Sequence, residues 1–317
     1  MDLNNTHVKM AWNHSALKFL FLLGFACLLH ENVSAQRWKT MRYEAQYGIG
    51  AGNFLGDLGG ANQIGTHYFK DFEWVETRPA ICVGLRYKLT EFFALKSALT
   101  FGQMRGDDKL TDYPFRHYRN LSFKSNILEF ATQFEASFYR EQLGHRYRLR
   151  GIKGQKGFEL YSYGFLGLGA FYFNPQGQDK NGNWVSLQPL GTEGQGLVPT
   201  RQKYNRVQLC IPIGIGFKYT INQKWGIGIE YGLRYTFTDY IDDVSTTYFR
   251  ADKLKSAYGK ILGDQAAYVS NKSDGSSPAI TSAGQQRGDP RYTDSYMFLM
   301  ISLNHKIKTG RNNLPKF

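Results

Sequence analysis

The sequence predicts an all-β fold, an eight-stranded antiparallel transmembrane β-barrel with short periplasmic turns and long extracellular loops. Period-two alternation of apolar and polar residues recurs in eight segments. Each is about as long as a tilted membrane-spanning strand, ~9–11 residues, or somewhat longer. The connections between the segments are tight or long in alternation. Composition agrees: 15% of the 317 residues are aromatic, mostly Tyr and Phe, and 34 are glycine. So much aromatic surface, available for burial, argues against disorder.

Taken in order, residues 1–35 read as a secretory signal peptide. Lys9 and Lys18 precede the apolar run Phe19 to Leu29, and Val33-Ser34-Ala35 offers a small-residue cleavage site before Gln36. The run is shorter than the ~20 residues that a spanning helix needs. Cys27 is a poor lipidation site, because Leu28 and Leu29 continue the run and Phe25 is bulky. Residues 36–317 then form the barrel domain, placed in the outer membrane. It keeps Cys82 and Cys210, enough for one disulfide but no disulfide framework.

The strands follow. Met41, Tyr43, Ala45, Tyr47, Ile49 and Ala51 alternate with Arg42, Glu44, Gln46, Gly48, Gly50 and Gly52. Ile81 to Leu89, Val207 to Tyr219 and Trp225 to Phe237 repeat the pattern, and weaker versions occupy 93–104, 122–139, 158–173 and 292–307. The connections at 90–92 and 221–224 are tight; those at 53–78, 105–121, 174–205 and 239–291 are long and rich in Gly, Asp, Asn and Ser. A soluble sandwich has no reason to sort its loops this way, nor to carry so apolar an outer face. The opposite face is polar or tiny, and eight strands leave room only for side chains. Glu44, Glu129, Glu135 and Glu230 are expected to pair there with Arg42, Arg86, Lys96 and Arg234, plugging the barrel.

The glycine run "GIGAGNFLGDLGG" at 48–60 is not a nucleotide fingerprint. Gly48, Gly50 and Gly52 share one strand face, no helical pattern follows, and no Gly-Lys-Ser/Thr is present. The first half reads as a strand giving neighbours room in the lumen, and "NFLGDLGG" as the start of a loop. Other motifs are equally weak. His67, His117, His145 and His305 have no nucleophile elbow near them, although Asp107, Asp108 and Asp112 precede His117. "DKNGNW" at 179–184 has Trp184 where a calcium loop needs glycine, and Asn181-Gly182 suits a hairpin turn. Asp239, Asp242 and Asp243 read as the solvated start of a loop, and Arg287-Gly288-Asp289 as a turn. No catalytic residue, metal site or cofactor is expected.

One connection stands out. Residues 140–157 carry Arg140, Arg146, Arg148, Arg150, Lys153 and Lys156 against Glu141, and strand parity places them beside the basic C-terminal tail. The formal net charge is +13, yet an exported barrel has no routine encounter with nucleic acid. The bland reading of this stretch is a solvated turn; the sharper one makes Arg146, Arg148, Arg150 and Lys153 a docking face for an acidic periplasmic protein.

Three segments, "GNFLGDLGG" after the first strand, "TDYIDDVSTTY" after the seventh and "RGDPRYTDSYMFLMISL" entering the last, resemble PorG-like outer-membrane proteins of Bacteroidota. That family is associated with the type IX secretion system. The resemblance spans nearly the whole mature chain, and "DDVS-T-Y" with "GD…Y" is its most specific part. It implies a non-enzymatic barrel, seated among outer-membrane lipids, that attaches a periplasmic ring of PorK and PorN type. The alternative from the residues themselves is a small porin-like or adhesin-like surface barrel binding an external ligand through its long loops; loops 174–205 and 239–291 are long for the family and leave another role open. A barrel hydrolase would have to depend on His117 or Asp112.

Overall fold

A computed structural model describes residues 37–58, 75–110, 113–138, 148–149, 152–153 and 160–309. The signal-peptide reading of 1–35 falls outside them. Eight long strands run in chain order: β1 (Tyr43–Leu55), β2 (Arg78–Lys88), β3 (Phe93–Asp107), β4 (Ser122–Ser137), β5 (Leu160–Gln178), β6 (Val207–Thr220), β7 (Trp225–Thr236) and β8 (Ser295–Ile307). Each pairs antiparallel with its neighbour in sequence. The ladder closes where β1 meets β8, from Tyr43 opposite Ile307 to Leu55 opposite Ser295. Closure leaves no barrel strand with an open edge, the condition for backbone in lipid. A short strand, Trp184–Ser186, extends the sheet beyond β5, pairing from Gln176 to Gln178.

Side-chain period two sorts each strand into an outer and an inner face. The outer face is apolar and exposed: Ile49 70%, Leu168 72%, Leu209 63% and Ile301 55%. Aromatic residues gather near both ends. Tyr43 contacts Tyr87 at 4.9 Å between ring centroids, Phe93 stacks on Phe134 at 5.4 Å, and Trp225 lies 4.3 Å from His305 at the turn end. Tyr235 and Phe237 pair at 6.3 Å at the loop end. An apolar belt flanked by aromatic girdles is the outer surface of a transmembrane barrel, and barrels of this build belong to outer membranes. No helix among the described residues is long and apolar enough to cross a membrane.

The turns at 89–92 and 221–224 lie at the same end as the β1–β8 seam residues Tyr43 and Ile307, and β4 is joined to β5 at that end. There, Arg148–Leu149 and Ile152–Lys153 pair in a small antiparallel ladder. The other end carries the four long connections, and among the described residues three of them differ from the expectation of plain loops, the third through the strand Trp184–Ser186. The second contains α1 (Pro114–Arg119). The fourth contains α2 (Ala251–Ser270), broken at Gly259 with φ 74°, and α3 (Pro278–Thr281). Helix-forming Ala, Leu and Lys at 251–257 carried that signal, diluted by the surrounding Gly, Asp and Ser. The glycine segment is also longer in strand than expected, because Asn53, Phe54 and Leu55 still belong to β1.

Candidate functional site

Two assemblies fill the molecule, a charged network inside the barrel and a lock among the long loops. The network begins at Arg86 on β2. Its Nε donates to Glu135 Oε2 at 2.6 Å, Nη2 to Glu135 Oε1 and to the Tyr163 hydroxyl at 3.0 Å each, and Nη1 to Glu44. Tyr163 donates onward to Glu230 at 2.9 Å, which also accepts from Lys96 at 2.7 Å. Lys218 donates to Glu44 at 2.9 Å. Towards the loops, the Arg234 Nε lies 3.1 Å from Glu129, and Tyr296 donates to the same carboxylate at 2.8 Å. All of these side chains are buried. In so dry a space ions are tolerated only when paired, and each of these four carboxylates lies against one or more of these cations, with Lys88 and Lys306 buried near Glu44 as well.

The expected pairing holds for Glu44, Glu129, Glu135, Glu230, Arg86, Lys96 and Arg234. It needs one correction: Arg42 precedes β1 and donates to the Tyr87 hydroxyl at 3.1 Å, whereas Lys218 supplies the cation beside Glu44. Above the charged layer the lumen turns apolar, with Phe54, Phe123, Phe171, Phe173, Phe298 and Met104 fully buried. Glycines let these fit. A Cβ on Gly50 would sit 2.1 Å from the Leu299 carbonyl oxygen, and one on Gly52 would sit 2.8 Å from Met104 Cε. Among the described residues, charged side chains occupy the middle of the lumen and apolar ones its loop end.

The loop lock joins all four long connections. Arg119 on α1 grips Asp108 in a fork, Nε to Oδ2 at 2.8 Å and Nη2 to Oδ1 at 2.9 Å. It also donates to the carbonyls of Arg287 at 2.7 Å and Asp57 at 2.6 Å. Arg287 in turn donates to Glu193 at 2.9 Å, and Glu193 accepts from the Ser245 amide at 3.0 Å and the Thr246 hydroxyl at 2.7 Å. Asp242 accepts the Leu58 and Val244 amides at 2.9 Å each. Asp243 accepts from the Tyr204 hydroxyl at 2.7 Å, and Asp294 accepts the Ile241 amide at 2.7 Å. The Arg119–Asp108 and Arg287–Glu193 bonds are charge-assisted and stronger than neutral ones.

Asp239, Asp242 and Asp243 therefore do not begin a solvated loop. Asp242 and Asp243 are fully buried. Burial pushes the Asp239 carboxyl up to about 9 and the Asp243 carboxyl to about 6, and it moves Asp242 and Asp294 well above the usual range. Neighbouring carboxylates Asp57 and Asp242 add to the shift at Asp239. No three His, Cys, Asp or Glu side chains among the described residues converge closely enough to hold a metal ion. The RGD segment is a keystone of the lock, with Arg287 only 3% exposed.

Beside the lock lies a cleft of about 240 Å³. Tyr113, Phe115, Arg116 and Arg119 line one side, Gln286 to Asp289 with Arg291 line the other, and Asp57 and Tyr248 complete it. Sequence reasoning missed this cleft, whose parts are far apart in the chain.

The remaining singled-out residues are placed as follows. Asp179 caps a tight turn, accepting the Asn181 and Asn183 amides at 2.8 and 2.9 Å, with Gly182 at φ 80°. His117 lies on α1 against Tyr118, and Asp108 before it is held by Arg116 and Arg119. Cys82 and Cys210 are free thiols. His67, Asp112, His145, Arg146 and Arg150 lie outside the described residues. Arg148 and Lys153 face each other in the short ladder at the turn end, where only the backbone is described.

Residues 196–271 match the family described as a domain of unknown function, DUF6089. The matched stretch runs from the third long loop through β6 and β7 to the end of α2. No curated protein matches the chain. Among solved structures, Ail, the attachment invasion locus protein of Yersinia pestis, in complex with the heparin analogue sucrose octasulfate, is 8% identical; the alignment covers 84% of this chain and 99% of that one, with TM-score 0.34. Neisserial surface protein A is 8% identical over 83% of this chain and 96% of that one, with TM-score 0.36. The outer membrane protein OprG from Pseudomonas aeruginosa is 8% identical over 85% and 98%, with TM-score 0.32. Similarities this weak carry no functional argument, and the barrel assignment rests on this chain's own closed ladder and apolar belt.

Proposed function

We propose that the chain is a non-enzymatic outer-membrane barrel that anchors the periplasmic ring of a type IX protein secretion apparatus. The observation that carries this reading is the filled lumen. Arg86, Lys96, Lys218 and Arg234 are locked onto carboxylates inside the barrel, so the protein offers surfaces rather than a passage. A porin-like role has no support from such an interior. The apolar belt supplies the contact with outer-membrane lipids. Ring proteins of PorK and PorN type are the periplasmic partners, and nucleic acid has no part in the function.

The secretion role itself rests on the motif resemblance. Two of its segments, at 238–248 and 287–303, supply much of the loop lock, which makes them frame-building residues rather than docking residues. The docking face assigned here is the basic connection at the turn end, with Arg146, Arg148, Arg150 and Lys153 as its cations. The connection joins β4 to β5 at the end of the barrel where β1 begins and β8 ends, the side expected to face the periplasm. An acidic partner surface would be drawn to it. Changing these four residues to Glu in the cell that makes the protein tests the assignment. Loss of the ring proteins from the purified barrel, with the barrel still folded, is the expected result. Undiminished co-purification would sink it.

A further inference from the structure

The cleft at the loop end has no part in anchoring a ring at the opposite end of the barrel. Its chemistry is mixed. The two walls carry Arg116, Arg119, Arg287 and Arg291, a set that first suggests an anion site. Each of these guanidinium groups, however, already lies against a carboxylate. Arg116 and Arg119 share Asp108, Arg287 lies against Glu193, and Arg291 pairs with Asp289 at 3.0 Å. An incoming anion would meet Asp57 and Asp289 in the lining as well. Electrostatic attraction is consequently weak.

The cleft offers something else. Tyr113 and Phe115 stack on each other with ring centroids 5.9 Å apart and planes inclined at 28°. Phe115 is 55% exposed, an apolar face left in water at the cleft. Around it are hydrogen-bond donors on the arginines, acceptors on Asp57 and Asp289, and the Gln286 amide, which does both. A pyranose ring complements such a set, since it has an apolar C–H face and a rim of hydroxyls that each donate and accept. The volume of about 240 Å³ falls below the ~300–1,000 Å³ of sites for drug-sized ligands, which limits the occupant to one ring. The lock also holds Asp57, Arg119 and Arg287 in place before any ligand arrives, reducing the entropy lost on binding.

We infer that the cleft between α1 and residues 286–291 binds one neutral pyranose ring, of a free sugar or at the end of a surface glycan, stacked on Phe115, whose ring Tyr113 backs. The inference is independent of the anchoring role and survives if that role fails.

Saturation-transfer NMR on the whole barrel in a sugar-free detergent tests it. The probes are methyl glycosides of glucose, galactose, mannose and N-acetylglucosamine, the matching tetrasaccharides, and inorganic sulfate as a competitor. At least one neutral glycoside should receive saturation, strongest at its ring C–H protons. Phe115→Ala and Gln286→Ala alter exposed side chains and should leave heat-modifiable gel mobility intact. Phe115→Ala should weaken binding about tenfold, the size expected for one lost aromatic stack. Transfer to a monosaccharide alone marks a free-sugar site, and equal transfer to a tetrasaccharide's terminal ring marks a glycan reader; either supports the inference. No transfer from any neutral glycoside, transfer unchanged in both variants, or displacement by equimolar sulfate would overturn it.

Discussion

Replacing Arg86 with Ala is the sharpest test of the buried network. The guanidinium serves two carboxylates and one hydroxyl, and the consequences differ for each. Glu44 keeps Lys218 at 2.9 Å. Glu135 keeps, among the described residues, the longer approach of Lys96, 3.9 Å away, in a site with no exposure to water. Removing one partner of a buried ion pair costs about 3–5 kcal/mol, because the remaining charge is stranded. Arg86→Ala should therefore destabilise the folded barrel by about 3–5 kcal/mol, towards the upper end because Tyr163 also loses a donor. Removing Glu135 as well should recover a large part. A double-mutant cycle should show a coupling of about 2–3 kcal/mol, the top of the range for residues in one network. The assay is equilibrium urea unfolding in phospholipid vesicles, followed by tryptophan fluorescence. As a control, Arg250→Ala breaks a pair of similar length, 2.6 Å, whose side chains are 64% and 58% exposed, and should change nothing measurable. An Arg86→Ala loss below about 1 kcal/mol, or strict additivity in the cycle, would show that the lumen network is not dry, against the burial argument used here.

Two further outcomes follow from the same physics. Burial raises the Asp239 carboxyl from 3.8 to about 9, so the folded loop lock holds a proton that the unfolded chain gives up near pH 4. Stability from this group is complete below pH 4 and is lost as pH rises towards 9. Asp239→Asn should raise the protection of 238–246 against proteolysis at pH 9 and leave it unchanged at pH 4; an equal effect at both would refute the assignment. Gly50→Ala should cost about 1–3 kcal/mol by overpacking against the Leu299 carbonyl. Gly48→Ala, whose Cβ would meet Cys82 and Met300 at 3.4 Å, should cost distinctly less in the same unfolding assay; equal costs would show that the close approach at Gly50 does not matter.

The barrel was legible in the sequence because its cause is local. A strand face repeats every second residue, so parity alone sent Glu44, Glu129, Glu135, Glu230, Arg86, Lys96 and Arg234 inward. The same rule would have selected Lys218, which shares parity with Gly214 and Gly216 on β6. Arg42 was misplaced because parity was extended one residue beyond the start of β1 at Tyr43. Strand lengths were less legible, since β5 runs on to Gln178 through residues with loop-like composition.

The loop lock was hidden for a different reason. Its contacts join residues remote in sequence: the Asp289 amide reaches Asp57 across 232 residues, and Leu58 reaches Asp242 across 184. Aspartates in "TDYIDDVSTTY" look like solvated loop residues until the partners that bury them are known. The cleft is hidden in the same way, because its two walls come from the second and fourth long connections.

Single-channel recording across a planar bilayer tests the filled lumen most directly. The wild-type barrel, inserted from detergent in 1 M potassium chloride, should give no ohmic steps above the bare bilayer. Reproducible steps of fixed conductance from folded, heat-modifiable protein would contradict the filled lumen, and with it the reading of this barrel as an anchor rather than a pore.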